Sequence, residues 1–337
     1  MNRLFKSMTK SREKTFYIVL LLAALIMAGT IEATYYINIL VQIIIWACAA
    51  MAWNVLAGYA GALSLGHAVF FGIGAYTSSI LFVSHGINPW LGIWIGVAIS
   101  SVVALILGLI CFRLKGAFLT LVTIAFAQLG LILATTWTSL TNGTVGITLP
   151  IAKSWATFSL TKTQFAYVSI ALIIVYYIIC KYFERSKIGF YMMAYRENQD
   201  AARSLGVNIF AVKTLAFMIS AGMMSITGSF YAQYVRYIDP HCTIATSISI
   251  EIAIFAMIGG LGKAEGPILG ALLMIPLKYA LRSSLGGTLS GLYMIIYGVV
   301  LIIIVLYLPT GIAPQLTRIL NRIGHRKAAV KKADEEE

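Results

Sequence analysis

The sequence is short of charge. Only 11% of its 337 residues are Asp, Glu, Lys or Arg, against about 25% in soluble domains. Acidic residues are the scarcer kind, 12 against 25 basic ones. No stretch is long and polar enough to fold as a separate water-soluble domain. Histidine is scarce too. His67, His85, His241 and His325 stand far apart, so no pair has metal-ligand spacing and no HExxH occurs. The four cysteines, Cys48, Cys111, Cys180 and Cys242, lie scattered, mostly in apolar runs. They form neither a disulfide framework nor a zinc spacing. No nucleophile–base pattern is present. Gly262-Lys263 fails as a phosphate loop, because Met257 stands where the first glycine belongs and Ala264 replaces the Ser or Thr. Glu265 occupies the third-glycine position of a dinucleotide fingerprint. These absences argue against an enzyme, a metal site, or a cofactor bound by this chain.

What the chain does have is apolar length. Hydrophobic residues make up 60% and the mean hydropathy is +0.88. A membrane-spanning helix takes roughly 20 apolar residues, which leaves room for eight to ten spans. The candidates are 16–33, 37–57, 67–83, 90–112, 117–137, 164–182, 214–235, 248–261, 268–281 and 289–308. The eighth and ninth are short. The first follows Arg3, Lys6, Lys10, Arg12 and Lys14 and continues to Thr30 without a small-residue cleavage site, so it is read as an uncleaved span rather than a signal peptide. The expected fold is all-α and polytopic. A cytoplasmic segment 1–15 precedes a transmembrane body, 16–310, and a cytoplasmic tail, 311–337, follows it.

The net charge of +13 is read through the positive-inside rule rather than as a nucleic-acid footprint. With the N-terminus in the cytoplasm, twenty of the 25 Lys and Arg residues fall on the cytoplasmic side. Lys153, Lys162, Arg236, Lys278 and Arg282 fall outside. Both termini are therefore expected inside.

Two glycine-rich breaks interrupt the apolar pattern. Gly58, Gly61, Gly66, Gly72 and Gly74 crowd the start of the third span, and Gly259, Gly260, Gly262, Gly266 and Gly270 the start of the ninth. Both lie on the inner side and hint at a parallel internal repeat. The four-residue spacing of 262, 266 and 270 suits close approach of helices in lipid. Broken segments in transporters mark the pathway, so Ser64, Gly66 and His67 are candidate pathway residues, beside the plainer reading of packing and a hydrogen-bonded histidine. Glu251 is the one carboxylate of the later spans. It is placed a few residues from the outer boundary, with a pathway and a structural role both open. Asn54, Thr123, Gln128 and Thr227 are polar groups inside spans that lipid cannot satisfy.

The most informative segment is the basic loop 181–213. Asn198 is a good N-cap, Asp200 lies where the helix dipole favours it, Ala201 and Ala202 form helix readily and Gly206 suits a stop. A helix of about two turns is marginal alone in water and needs a docking groove.

Here the sequence resembles a known family. Asp200-Ala201-Ala202-x-x-x-Gly206 is similar to the coupling segment of ABC importer permeases, with Asp in place of the first Glu. The stretch 61–76 (GALSLGHAVFFGIGAY), Arg113-Leu114-Lys115-Gly116 with Thr123-Ile124-Ala125-Phe126, Arg196-Glu197-Asn198 with Leu205-Gly206, and Gly259-Gly260-x-Gly262 with Gly266-Pro267 narrow this. Together they resemble the M-type permease of branched-chain amino-acid ABC importers. Lys263 stands where that family has Thr, and 140–146 follows the pattern only in part. The resemblance implies ATP-driven uptake of branched-chain amino acids across a bacterial or archaeal cytoplasmic membrane. It also implies ATPase coupling through Arg196, Glu197, Asn198, Asp200, Ala201, Ala202 and Gly206. The implied partners are an H-type permease, two cytoplasmic ATPase subunits that hold the ATP and Mg, and an extracytoplasmic binding protein. Relatives that carry urea or short amides, and an ion-coupled carrier, stand as alternatives. The latter would need midplane ionisable groups, of which only Glu251 is evident.

Overall fold

Lipid offers no partner for a backbone N–H or C=O, so apolar runs of this length close their own hydrogen bonds as helices. The computed structural model describes residues 26, 29, 34–114, 116–150, 160–199, 202, 208–285, 291–308 and 311–316. The expected first span, 16–33, and the tail beyond 316 lie outside these residues, apart from helical positions 26 and 29.

Helix α1 (Thr34–Asn54) runs into one π-helical turn, Val55–Tyr59, and then a loop, 60–66. It is followed by α2 (His67–His85), α3 (Pro89–Cys111), α4 (Ala117–Thr136) and the short α5 (Thr138–Thr141). Strand β1 (Ile147–Thr148) leads to α6 (Lys162–Arg185), α7 (Lys187–Glu197) and α8 (Ile209–Val235). Strand β2 (Tyr237–Ile238), α9 (Pro240–Thr243), α10 (Thr246–Gly259), α11 (Glu265–Leu285) and α12 (Leu292–Tyr307) complete the order. Among the described residues, eight helical stretches are long and apolar enough to cross a membrane, and 294–307 is a shorter apolar helix. The fold is all-α and polytopic, and β1 and β2 form a single antiparallel rung pair, Ile147 opposite Ile238.

Local chemistry explains the boundaries. Asn88 accepts from the Trp90 N–H and Pro89 opens α3. Thr161 and Gln164 form a capping box on α6. Gly86, at φ +64, ends α2 in the left-handed conformation. Two expected spans prove longer than their hydropathy suggested. The eighth covers Pro240–Gly259 and the ninth Glu265–Leu285, 20 and 21 residues. Hydropathy truncated the ninth because Glu265, Gly266 and Pro267 open it and Arg282 stands in its last turn.

Helix α8 is the central post, packed against α1, α2 and α3. Small residues let it come close. A β-carbon at Gly74 would stand 1.9 Å from the Ser225 carbonyl oxygen, and one at Gly228 would stand 1.9 Å from that of Phe71. The same reciprocal contact joins α10 and α11, where β-carbons at Gly259 and Gly270 would meet the Gly266 and Phe255 carbonyl oxygens at 1.7 and 1.9 Å. Such contacts replace the hydrophobic drive that lipid removes. Gly72 and Gly66 also lack room for a side chain, against Ile244 and the Thr123 carbonyl.

Candidate functional site

The two glycine breaks meet. Asn54, at the end of α1, donates from Nδ2 to the Lys263 carbonyl at 3.1 Å. Its Oδ1 accepts from the Gly262 N–H at 3.0 Å. Its side chain is fully buried, and one amide thereby pairs both a donor and an acceptor of a helix-breaking loop. Gly262 has φ +76 and lies in that loop, so it is no part of the helix-packing stripe that its spacing suggested. The stripe is 259, 266 and 270.

Arg196 links both breaks to the 181–213 segment. Its Nη1 donates to the Gly58 carbonyl at 2.6 Å. Its stem fills the space where Gly61, at φ +61, has no side chain, and a β-carbon on Gly262 would lie 2.4 Å from Nη1. Nη2 pairs with Glu197 at 3.0 Å. The segment therefore rests directly beneath both breaks.

A charged triad stands beside it. Lys181 Nζ lies 2.7 Å from Glu184 and 2.6 Å from Glu265. Glu184 Oε1 accepts from the Ala264 N–H at 2.8 Å and from the Tyr59 hydroxyl at 3.2 Å. Tyr177 donates to Glu265 at 3.0 Å. The triad ties α6 to the π turn and to the start of α11, and three charges share enough hydrogen bonds to sit half-buried. Lys213, 6% exposed, lies 4.1 Å above the Tyr195 ring, where the π face stabilises a cation withdrawn from water.

The sequence expected one short helix in this segment. The structure has α7, Lys187–Glu197, before it, capped by Ser186 on the Gly189 N–H. Asn198 is extended, at φ −152, and its carbonyl accepts from the Ala202 N–H at 3.2 Å. That is the geometry of a residue between two helices. Ala202 is buried, whereas Glu197 and Asn198 are exposed. Asp200, Ala201 and Gly206 lie outside the described residues.

The structure brings Ser64 and Gly66 of the 60–66 loop together with His67, the first residue of α2. His67 is fully buried, with Nδ1 3.1 Å from Ser64 Oγ and Nε2 2.9 Å from Ser220 Oγ. Ser220 spends its proton on the Ala52 carbonyl at 2.6 Å, so Nε2 carries the hydrogen that it shares with Ser220. Trp53 donates to the Ser64 carbonyl at 2.7 Å, the Leu65 N–H reaches Thr123 at 3.1 Å, and the Ala68 N–H reaches Ser249 at 2.8 Å. Helices α1, α4, α8 and α10 thus hold the loop. Thr227 is bonded to Tyr176 at 3.0 Å, and Gln128, though exposed, to Thr246 at 3.0 Å.

Glu251 pairs with Lys278 at 2.5 Å. Sequence reasoning missed this bond because it treated Lys278 as external. Glu251 stands eight residues before the C-terminal end of α10, about 12 Å along the axis. A cavity of about 580 Å³ opens at the other end of the molecule. Tyr35, Asn38, Lys162, Tyr234, Arg236 and Tyr279 are among its lining residues.

Residues 35–305 match the family described as branched-chain amino acid transport system / permease component. The chain belongs to that family. It is 28% identical over 263 residues to the high-affinity branched-chain amino acid transport system permease protein LivM of Salmonella typhimurium, covering 71% of this chain and 62% of that one. It is 27% identical over 293 residues to the Escherichia coli LivM protein, covering 78% and 67%. A tyrosine transport system permease protein of Clostridioides difficile is 29% identical over 114 residues, covering 31% and 39%. The matches thus span about two thirds of the length of the two LivM proteins. No solved structure matches the chain.

Proposed function

We propose that this chain is a permease subunit of an ATP-driven importer for branched-chain amino acids, in a bacterial or archaeal cytoplasmic membrane. It works beside a second permease, two cytoplasmic ATPases that bind the nucleotide, and an extracytoplasmic binding protein. It holds no cofactor or metal itself. The termini, the 181–213 segment and both glycine breaks face the cytoplasm, and 16–310 forms the transmembrane body between the segments 1–15 and 311–337.

The observation that carries this reading is Arg196. A surface segment that docks on an ATPase must pass its movement to the helices. Arg196 joins that segment to the Gly58 carbonyl and abuts Gly262. A shift of α7 then pulls on the ends of α1 and α10 together. Packed helices with small-residue contacts switch between discrete arrangements. Arg196, Glu197, Asn198, Asp200, Ala201, Ala202 and Gly206 are the coupling set, and the glycine contacts are the sliding surfaces. The substrate names of the relatives share one chemistry, the α-amino acid zwitterion. The 60–66 loop carries its polar groups inward, so Ser64, Gly66 and His67 shape the pathway by holding the helix break.

The test is co-expression with the partner subunits, purification in mild detergent and reconstitution. Two ATPases and a second permease should co-purify, and vesicles should accumulate radiolabelled leucine, isoleucine or valine only with ATP. Uptake by this chain alone, driven by a proton or sodium gradient, would replace the reading with an ion-coupled carrier.

A further inference from the structure

Helix α10 turns a stripe outward that lipid is poorly suited to cover. Ser247, Ile250 and Met257 are exposed along it, with Ile254 partly so. One edge carries Gln128, exposed and bonded to Thr246. Gln128 stands eleven residues above the inner end of α4, about 16 Å up. The other edge carries Glu251 and Lys278, whose side chains remain 21% and 36% exposed. A charged pair and a primary amide at mid-depth cannot face hydrocarbon cheaply. Such groups belong to a wall of a water-filled path.

We infer that Glu251 and Lys278 are the intramembrane binding site for the head of a zwitterionic amino acid, Glu251 taking the α-ammonium and Lys278 the α-carboxylate. This rests on the transport reading above and adds to it the two residues and the charges they recognise. The pair is the charge complement of the ligand head. Exchanging one protein–protein contact at 2.5 Å for two protein–ligand contacts leaves the net charge unchanged. No bare charge is exposed to the membrane at any stage, which keeps both loading and release accessible. Ile250 adjoins Glu251 on the exposed stripe and offers apolar surface to a ligand side chain. The Tyr297 hydroxyl is buried, has no hydrogen-bond partner among the described residues, and lies within electrostatic reach of Glu251. It can complete the hydrogen bonding of a ligand oxygen or ammonium. A plain structural tie would be redundant here, because Gly259, Gly266 and Gly270 already lock α10 to α11 through backbone contact.

The experiment uses the reconstituted complex with saturating, leucine-loaded binding protein, and measures leucine taken up per ATP hydrolysed. Neutralising the site, Glu251→Gln with Lys278→Met, should lower that ratio tenfold or more while the complex still assembles. Reversing it, Glu251→Lys with Lys278→Glu, preserves an ion pair between the helices but inverts the site, and uptake should stay as low. A parental ratio in the assembled neutral pair overturns the inference. So does restoration by the reversed pair, which would make the bond a tie. The reversed pair decides the matter if the neutral pair does not assemble. Should the parent complex itself transport no branched-chain amino acid, the transport reading fails, and that result is distinct from either variant outcome.

Discussion

Arg196 shows how much a single side chain connects. Its guanidinium serves two partners at once, the Gly58 carbonyl at 2.6 Å and Glu197 at 3.0 Å. The planar fork makes this possible, and a lysine ammonium on the same stem reproduces it poorly. Arg196→Ala is expected to cut ATP-driven uptake at least tenfold with the complex still assembled, and Arg196→Lys to recover only part of it. Uptake assays on matched amounts of complex check this, and parental uptake in the alanine variant removes Arg196 from the coupling path. His67 answers to a different logic. Both of its ring nitrogens are bonded in a buried place, so His67→Ala leaves Ser64 and Ser220 to find new partners. The expected loss of stability is about 1–3 kcal/mol, read as a lowered unfolding temperature of the purified complex, with uptake falling in step. Ser220→Ala should show a loss of the same kind.

The decisive feature at the level of elements is backbone contact. Gly74 and Gly228 place α2 against α8 in both directions, with no room for a methyl group on either. Gly74→Leu or Gly228→Leu must spread the helices, and overpacking of this kind costs about 1–3 kcal/mol or more. Each should reduce the amount of complex recovered and the unfolding temperature together. Gly298 has nothing within reach of a β-carbon, so Gly298→Ala serves as a control and should leave both unchanged. The segment that follows α6 behaves otherwise, because α7 meets the two glycine breaks through the Arg196 side chain. Gly206→Pro, which imposes a fixed φ and removes an N–H, is expected to lower uptake without lowering abundance. Normal uptake in that variant would free 198–206 from the coupling role.

Sidedness is a property of the whole molecule. The 54–66 loop region, the Lys181–Glu184–Glu265 triad, α7 and the 260–264 loop gather at one end. The rung pair of β1 and β2, Lys162 and Arg236 lie at the other. The proposed orientation, argued from the positive-inside rule, turns the first end to the cytoplasm. A cysteine at Thr144 should then react with an impermeant maleimide in intact cells, and one at Asn208 should react only after permeabilisation. The reverse pattern would invert the orientation of every span and of the coupling segment.

The approximate number and place of the spans and both glycine breaks could be read from the chain because hydropathy and helix-breaking residues are local properties. The Gly61–Tyr76 pattern pointed to the family for the same reason, as a contiguous block. The tertiary structure alone decided which distant groups meet. Arg196 reaches a carbonyl 138 residues away and Asn54 an amide 208 residues away, and no periodicity encodes such pairs. Helix α7 was missed because eleven residues are too few to register as a span and its Ile, Phe, Tyr and Met side chains are not gathered into one apolar stripe. The Glu251–Lys278 bond was missed because depth in a membrane depends on how long α10 and α11 are, and their ends are set by caps, turns and backbone contacts with neighbours rather than by the runs of apolar residues within them.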